Sequence, residues 1–332
     1  MNGRLSPGDG LIHCSLDRSG RATLSELQFS YPLKFLAPDR RFGSVQVVWV
    51  VGYGGGLVAG DRVRVKSRVD KGSTLVLFTQ GSTKVFKTRL GQYLSDTNKA
   101  ARMGTAPPTI QQYRIAVSPA SFLVLLPSPV TCFSRALYEQ KQVVHLEDET
   151  ASVILLDWFT SGRMGIKAKT RDQEDGEAWE FEKYRSENEV WIAGQRVAKD
   201  VLLLQDEQDA NPTQQLDEPV RPRRRLDTTY RHRVEPYSCY ASLFLYGPRT
   251  SYLQSHISNT FTQLTQYHQS RPYSLLWSYS PLERGGGVAR CAGHSTEAVK
   301  EWVCELLEAG GQGVEGGIES IVGKDLWKTA FN

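Results

Sequence analysis

The residues of this chain that could do chemistry begin with a glycine-rich stretch at 54–60. Gly54-x-Gly56-x-x-Ala59 matches the dinucleotide-binding pattern and follows an apolar run at Val45–Val51, but that pattern works by placing a pyrophosphate at the N-terminus of a helix. From Asp61 onward the residues alternate as in a strand, and Asp61 stands where the phosphate-loop motif has its lysine. The stretch therefore favours no nucleotide site.

Metal ligands and nucleophiles are equally sparse. The pairs His13-Cys14 and Cys291-x-x-His294 each lack a second pair at zinc-site spacing. The sequence contains no HExxH motif and no Gly-x-Ser-x-Gly nucleophile elbow. Its five cysteines are scattered and odd in number, so we expect reduced thiols rather than a disulfide framework. These observations predict a protein that is not an enzyme.

A second group of candidates consists of polar residues in apolar surroundings. The cluster Thr79–Lys84 directly follows the apolar run Leu75–Phe78. Further residues of this kind are Asp61, Arg163, Glu177 and Trp179. Buried polar groups need hydrogen-bond partners, so one interpretation is a network that fixes strand ends, and the other is a functional site. If the strand that begins at Leu75 continues through the cluster, Gln80, Ser82 and Lys84 share one face.

The elements that must hold these residues are mainly strands. Val63, Val65 and Val69 alternate with basic residues, which predicts a half-buried strand. Asp70–Gly72 then predicts a turn into a second strand, and the two together predict a β-hairpin. Short apolar runs predict further strands buried on both faces: Leu75–Phe78, Phe122–Leu126, Val153–Leu156, Val201–Leu204 and Leu243–Tyr246. We expect a mainly β body of stacked, layered strands, like a β-helix or a sandwich.

The pattern changes to helical after Pro248. Leu253, Ile257, Phe261, Leu264 and Tyr267 recur at intervals of three and four, which predicts an amphipathic helix with Ser251 at its start. A second stripe predicts another helix, begun by Ser295-Thr296 and ended by Gly310-Gly311: Val299, Trp302, Val303, Leu306 and Leu307. We therefore expect one domain, with a β body at 1–248 and a C-terminal helical layer at 249–332.

Charge is concentrated in one stretch. The net charge is +4, and Gln205–Glu218 is acidic whereas Arg221–Arg233 is basic. Such a nearly self-neutral, proline-containing segment is typical of a solvated loop rather than a nucleic-acid arm. We expect a flexible insertion at 205–236. The first residues, MNGRLSPGDG, match neither a signal peptide nor a transit peptide, and no apolar run reaches membrane-spanning length, so we expect a cytoplasmic protein.

Several separated blocks resemble one known family. GGGLVAGDRVRV and TQGSTKVFK, together with SYPLKFLAP, LPSPVTCFSRALYEQ, DWFTSGR and GEAWEFEKYRS in the same order, resemble the UreD family of urease accessory proteins, called UreH in some bacteria. The segments between TKVFK and SFLVLLP, and between Arg163 and Gly176, look longer than in bacterial members.

The resemblance implies a non-enzymatic scaffold or chaperone for nickel insertion into apo-urease. It implies a UreF-type partner, a UreG-type GTPase bound through that partner, and no tightly bound cofactor, with nickel only in transit through the protein. Weakly held oxygen ligands would suit transit, and the candidate residues are Asp61, Gln80, Ser82, Thr83 and Glu177. The alternatives are a stand-alone metal-binding protein and a nucleotide-dependent oxidoreductase.

Overall fold

The computed structural model describes residues 5–38, 43–88, 107–163, 177–206, 229–266, 274–309, 315–324 and 326–327. These residues form seventeen strands: β1 (Asp9–Leu16), β2 (Ala22–Phe29), β3 (Leu33–Leu36), β4 (Val45–Gly52), β5 (Arg62–Val69), β6 (Thr74–Thr79), β7 (Thr83–Val85), β8 (Thr109–Val117), β9 (Phe122–Leu126), β10 (Val130–Cys132), β11 (Leu137–Leu146), β12 (Ser152–Thr160), β13 (Lys183–Ile192), β14 (Gln195–Leu204), β15 (Cys239–Tyr246), β16 (Leu275–Leu282) and β17 (Gly286–Gly293). The α-helices of the described part are α1 (Tyr230–Val234), α2 (Ser251–Gln266), α3 (Thr296–Glu308) and α4 (Ile318–Val322).

The strands make two large sheets. Sheet A has the order β14-β13-β11-β8-β5-β1-β2, and sheet B has the order β16-β17-β15-β12-β9-β6-β4-β3, with β7 and β10 attached beside β12. Between β4 and β13 the chain passes from one sheet to the other at almost every turn. Successive strands within each sheet therefore pair in parallel, as β5 does with β8 and β6 with β9. The predicted mainly β, layered class is confirmed.

The predicted hairpin at 61–79 is wrong, although both of its strands exist. β5 pairs with β1 and β8 in sheet A, whereas β6 pairs with β4 and β9 in sheet B. The turn at Asp70–Ser73 thus carries the chain across the interior instead of folding it back on a partner. A turn signal in the sequence marks a reversal but cannot say which strand the chain pairs with next.

Alternation within β5 occurs as predicted. Val63, Val65 and Val69 are buried, while Arg62, Arg64, Lys66 and Arg68 are exposed on the outer face of sheet A. The apolar runs also form strands, but β14 differs from the others. It is the edge strand of sheet A, and Val201 and Leu203 are 46% and 53% exposed. The expectation that this run is buried on both faces is therefore wrong, because no further strand or layer of the described chain covers it.

Two apolar cores result from this arrangement. One lies between the two sheets and consists of their inward-facing side chains, such as Ile115 of β8 and Leu155 of β12. The other lies between the outer face of sheet B and the helices, and it includes Leu156, Ile257 and Trp327. Among the described helices, none has both the length and the apolar character needed to cross a bilayer.

The C-terminal part is less helical than predicted. α2 and α3 form where the stripes predict them, and Ser295 caps α3 by accepting a hydrogen bond from the Ala298 amide at 3.1 Å. Between these helices, however, β16 and β17 form an antiparallel hairpin that extends sheet B beside β15. The sequence-based prediction contains neither strand. The glycines and small residues of β17 carry little β signal, whereas Leu275, Trp277 and Tyr279 of β16 are a β signal that the prediction did not use. Tyr267 and Gly310-Gly311 lie outside the described residues.

The predicted insertion at 205–236 is ordered at its C-terminal end. Residues 207–228 lie outside the described part of the chain. Tyr230 begins α1 and is 5% exposed, and its hydroxyl lies within hydrogen-bonding distance of the carbonyl oxygens of Trp179 and Phe181, at 2.8 and 2.5 Å. Within 229–236, Tyr230 and Val234 are buried against the body, whereas His232, Arg233, Glu235 and Pro236 are exposed. A single aromatic anchor thus attaches this end of the segment, and the expected flexibility of the insertion stays a prediction.

Trp302 provides a test of the helix-to-sheet core. It is 5% exposed and its ring meets that of Trp277 edge-on at 5.9 Å, so the predicted packing of the α3 stripe is confirmed. We expect Trp302→Ala to lower the free energy of unfolding by about 3–5 kcal/mol through lost burial and a cavity, measured by urea denaturation.

The matched variant is Trp302→Phe. Among the described residues the Trp302 indole nitrogen has no hydrogen-bond partner. Replacement by phenylalanine therefore reduces the side-chain volume without removing a hydrogen bond. It should therefore cost clearly less than alanine. Equal losses for the two variants would contradict packing as the source of the stabilisation.

Candidate functional site

A row of polar side chains crosses the otherwise apolar space between the sheets. Gln111 donates from Nε2 to the Tyr113 hydroxyl at 2.8 Å, and its Oε1 lies 2.7 Å from the Tyr138 hydroxyl. That hydroxyl is also 3.0 Å from Gln140 Oε1, and Gln140 Nε2 donates to Asp157 Oδ1 at 2.9 Å. The hydrogen-bonded row thus runs from β8 through β11 in sheet A to β12 in sheet B.

Asp157 is the only carboxylate of this row within the described chain. Besides Gln140, its donors are Ser186 Oγ and Asn188 Nδ2, both 2.6 Å from Oδ2. Asp157 is 9% exposed, and all three donors are neutral. Burial raises the pKa of this carboxyl above its ordinary value, against the opposing effect of the three hydrogen bonds. The interior therefore holds a carboxyl whose charge no cation in the row compensates.

Each end of the row lies in the wall of a cavity. Gln111 lines a small cavity of about 70 Å³ together with residues of the glycine-rich loop. Asp157 lines a larger cleft of about 460 Å³ at the edge where β14 faces β15 to β17. Tyr240, Ser242 and the Arg290–Asp200 ion pair, 2.9 Å long, also line this cleft. The hydrogen-bonded row therefore places one residue, Gln111 or Asp157, in the wall of each cavity.

Three of the predicted site residues meet at the small cavity. Gln80, Ser82 and Thr83 lie in its wall opposite Gly55 and Gly56. The predicted shared strand face of Gln80, Ser82 and Lys84 does not form, however, because β6 ends at Thr79, Gly81 takes a φ of 72°, and β7 begins only at Thr83. The polar residues after Phe78 thus mark the end of a buried strand and the wall of a cavity.

The two predicted carboxylates lie elsewhere. Asp61 Oδ2 accepts a hydrogen bond from the Val58 amide at 2.9 Å and so closes its own turn, and burial raises the pKa of its carboxyl. Glu177 pairs with Arg163, whose Nε lies 2.9 Å from Oε2, and this hydrogen bond lowers the pKa of Glu177. Neither lines the small cavity.

The two other residues noted in the sequence have structural contacts. The Arg163 guanidinium lies 4.2 Å from the centre of the Phe133 ring. Trp179 is 6% exposed, takes a φ of 58°, and packs edge-on against Phe159 at 6.3 Å. These contacts attach the described residues 161–163 and 177–181 to the end of the β body.

Tight metal ligation has no candidate in the described part of the chain. No three His, Cys, Asp or Glu side chains there converge on one point. Cys14, Cys132, Cys239 and Cys291 are buried free thiols, and burial raises the pKa of each. What the interior offers a cation is amide, hydroxyl and carboxyl oxygen.

Sequence reasoning missed Gln111, Gln140 and Asp157. Two features of the sequence pointed to these residues. Gln140 and Gln142 alternate along β11 with residues that face outward, and Asp157 interrupts the apolar run of β12. Reading these as inward-facing requires knowing which face of each strand is buried. The β11 strand has few apolar residues at its start from which to decide this.

Asp157 makes a pH test of the row possible. Because its pKa is raised in the folded state, stability gained from the protonated carboxyl is fully present below the ordinary pKa of 3.8 and is lost as pH rises through the folded value. As pH rises from 3.8 through the folded pKa, we expect the free energy of unfolding of the wild type to fall relative to that of Asp157→Asn. Urea denaturation of both proteins at each pH measures this difference. The opposite slope would show that the row stabilises the charged form.

Glu177 should give the opposite slope. Its pKa is lowered in the folded state, so its stabilisation is present above the ordinary value of 4.5 and is lost as pH falls through the folded value. We expect Glu177→Gln to cost about 1 kcal/mol at pH 7 and less under acid. The matched control is Glu182→Gln, whose partner Arg135 is 65% exposed. A cost at Glu177 that does not change with pH would contradict the ion pair.

Comparison with known proteins agrees with the resemblance of the sequence blocks. The sequence profile described as "UreD urease accessory protein" matches residues 9–316. The chain is 32% identical to "Urease accessory protein 4" of Cryptococcus neoformans over 98% of this chain and 95% of that protein. It is 31% identical to "Urease accessory protein D" of Arabidopsis thaliana, covering 87% of this chain and 92% of the plant protein.

A bacterial relative shows the same likeness. The chain is 31% identical to "Urease accessory protein UreD" of Sorangium cellulosum, covering 85% of this chain and 73% of the bacterial protein. The profile match includes the glycine-rich loop, the 79–84 cluster and the whole polar row.

Proposed function

This chain belongs to the UreD family of urease accessory proteins and serves urease maturation, and from that premise we propose that it is a non-enzymatic scaffold whose interior passes nickel toward apo-urease. The observation that carries the proposal is the hydrogen-bonded row from Gln111 to Asp157, with a cavity at each end. Nickel is the cargo in this proposal and not a resident cofactor.

The chemistry of the row suits transit. Amide, hydroxyl and carboxyl oxygens bind a borderline divalent ion more weakly than thiolates do, and conduction requires sites that hold an ion without trapping it. The uncompensated Asp157 carboxyl, reached from the larger cleft, supplies the attraction that would draw a cation inward. Gln80, Ser82 and Thr83 supply oxygen atoms at the other end.

The alternatives have less support. A stand-alone metal-binding protein would be expected to bring several ligands together, and the described residues hold no such cluster. A dinucleotide site would need a helix after the glycine-rich loop, where the chain forms β5 instead. The proposed setting is cytoplasmic, in a complex with a UreF-type protein, a UreG-type GTPase bound through it, and apo-urease.

Ser82→Leu is the decisive variant. Leucine would fill much of the small cavity at one end of the row and would leave the outer surface of both sheets unchanged. We expect the variant to assemble with the UreF-type and UreG-type partners and with urease, and the urease recovered from those cells to contain little nickel. Nickel is measured by mass spectrometry on the purified urease.

The control is Ser280→Leu, an exposed serine on edge strand β16 that lines neither cavity. Its urease should carry the normal amount of nickel. Normal nickel with Ser82→Leu and an intact complex would overturn the interior route. Gln140→Leu, which cuts the row at its centre, provides an independent block if the leucine at 82 prevents folding.

A further inference from the structure

Polar side chains of sheet B continue from Asp157 to the edge of the sheet. Asp157 of β12 is the Cα partner of Ser242 of β15, Ser242 is that of Arg290 of β17, and Arg290 is that of Ser278 of the edge strand β16. Directly paired residues point to the same face of a sheet and lie about 4.8 Å apart. We call these four residues the edge row, and all of them line the larger cleft.

Sheet A presents a second polar row opposite the first. Gln142 of β11 is the Cα partner of Asn188 of β13, and Asn188 is that of Asp200 of the edge strand β14. Gln142 donates to Asn188 at 3.1 Å, and Asn188 donates to Asp157 at 2.6 Å across the interior. Since Asp200 lies beside Asn188 on the same face of sheet A, its carboxylate also points toward sheet B. The two rows therefore face each other, and each contains one carboxylate.

An ion pair joins the two rows near the open edge. Arg290 of sheet B lies 2.9 Å from Asp200 Oδ1 of sheet A. The side chains of this pair are 44% and 27% exposed, whereas Asp157 is 9% exposed. Because β17 lies between β15 and the edge strand β16, the pair stands between the open edge of the cleft and Asp157. Arg290 is also the only cationic side chain among the described residues that line the cleft.

Three charged groups thus share a small region with only one positive charge. Burial is the main cause of the raised pKa of Asp157, and the negative charge of Asp200 raises this pKa further. The two carboxylates are therefore close enough to repel each other. Without Arg290 they would face each other with only neutral hydrogen-bond donors as partners, an arrangement that attracts a cation strongly.

We propose that Arg290 is a positioning residue that controls how tightly the larger cleft holds a divalent cation. Its guanidinium takes the place of the ion beside Asp200, and an ion that reaches Asp157 through the cleft displaces it. When the ion leaves, Arg290 pairs with Asp200 again. A competitor attached to the protein in this way keeps the ion weakly bound, which transit requires.

The inference rests on the proposed function, in which the larger cleft is one end of the nickel route. It goes further by naming the residue that limits affinity at that end and the carboxylate through which this residue acts. The proposal concerns binding of the ion to this chain, so it is testable without urease.

The experiment titrates Ni²⁺ alone into the purified full-length chain by calorimetry. We expect weak binding by the wild type. Arg290→Gln should bind Ni²⁺ at least tenfold more tightly, because both carboxylates are then uncompensated. Arg290→Lys keeps the positive charge and should bind as the wild type does. Adding Asp200→Asn to Arg290→Gln should return the affinity to that of the wild type.

The matched control is Arg64→Gln. Arg64 pairs with Asp9 at 2.7 Å, and their side chains are 47% and 24% exposed, much as in the Arg290–Asp200 pair. The two residues are neighbours on β5 and β1 of one sheet and line neither cavity. Breaking this pair also releases a carboxylate, but we expect the Ni²⁺ affinity to stay unchanged.

The combination of variants decides between the outcomes. A gain in affinity with Arg290→Gln that disappears with Asp200→Asn supports the proposal. No gain, an equal gain with Arg64→Gln, or a gain that persists without Asp200 overturns it. If the melting temperature shows that glutamine unfolds the protein, Arg290→Met removes the same charge and is judged by the same criteria. The nickel content of urease with Ser82→Leu tests the interior route separately, so failure of the route would leave the effect of Arg290 on affinity intact.

Discussion

The two sheets of this protein enclose an interior in which buried polar groups depend mainly on partners within the protein. An unpaired amide or carboxyl there would cost on the order of 1–3 kcal/mol. Asp157 illustrates the constraint, since Gln140, Ser186 and Asn188 converge on it from the opposite sheet. The register between sheets A and B cannot shift without breaking these contacts.

The parallel winding explains how so many polar groups come to lie together. Because each turn of the chain stacks directly on the one before, equivalent positions of β8, β11 and β13 lie side by side. Gln111 is the Cα partner of Gln140, and Gln140 is that of Ser186. The same end of each strand is polar, whereas the opposite end carries Ile115, Val144 and Val190. A row forms in one half of the interior and a dry apolar core in the other.

This division assigns different tasks to different parts of the chain. The apolar half and the layer beneath the helices stabilise the fold, as the burial of Leu155 and Trp302 shows. The amide, hydroxyl and carboxyl oxygens that could contact a cation lie in the polar half and in the walls of the two cavities.

Local periodicity and ordered motifs were enough to identify the strands with clear alternation or long apolar runs, the two longer C-terminal helices, and the family. The sequence also singled out Gln80, Ser82 and Thr83 as polar residues out of place after an apolar strand. Three features become visible only in the folded protein: β5 and β6 belong to different sheets, β16 and β17 extend sheet B, and Asp61 and Glu177 lie apart from the small cavity. Strand pairing joins residues far apart in the chain, and which face of a strand is buried depends on those partners; local pattern contains neither.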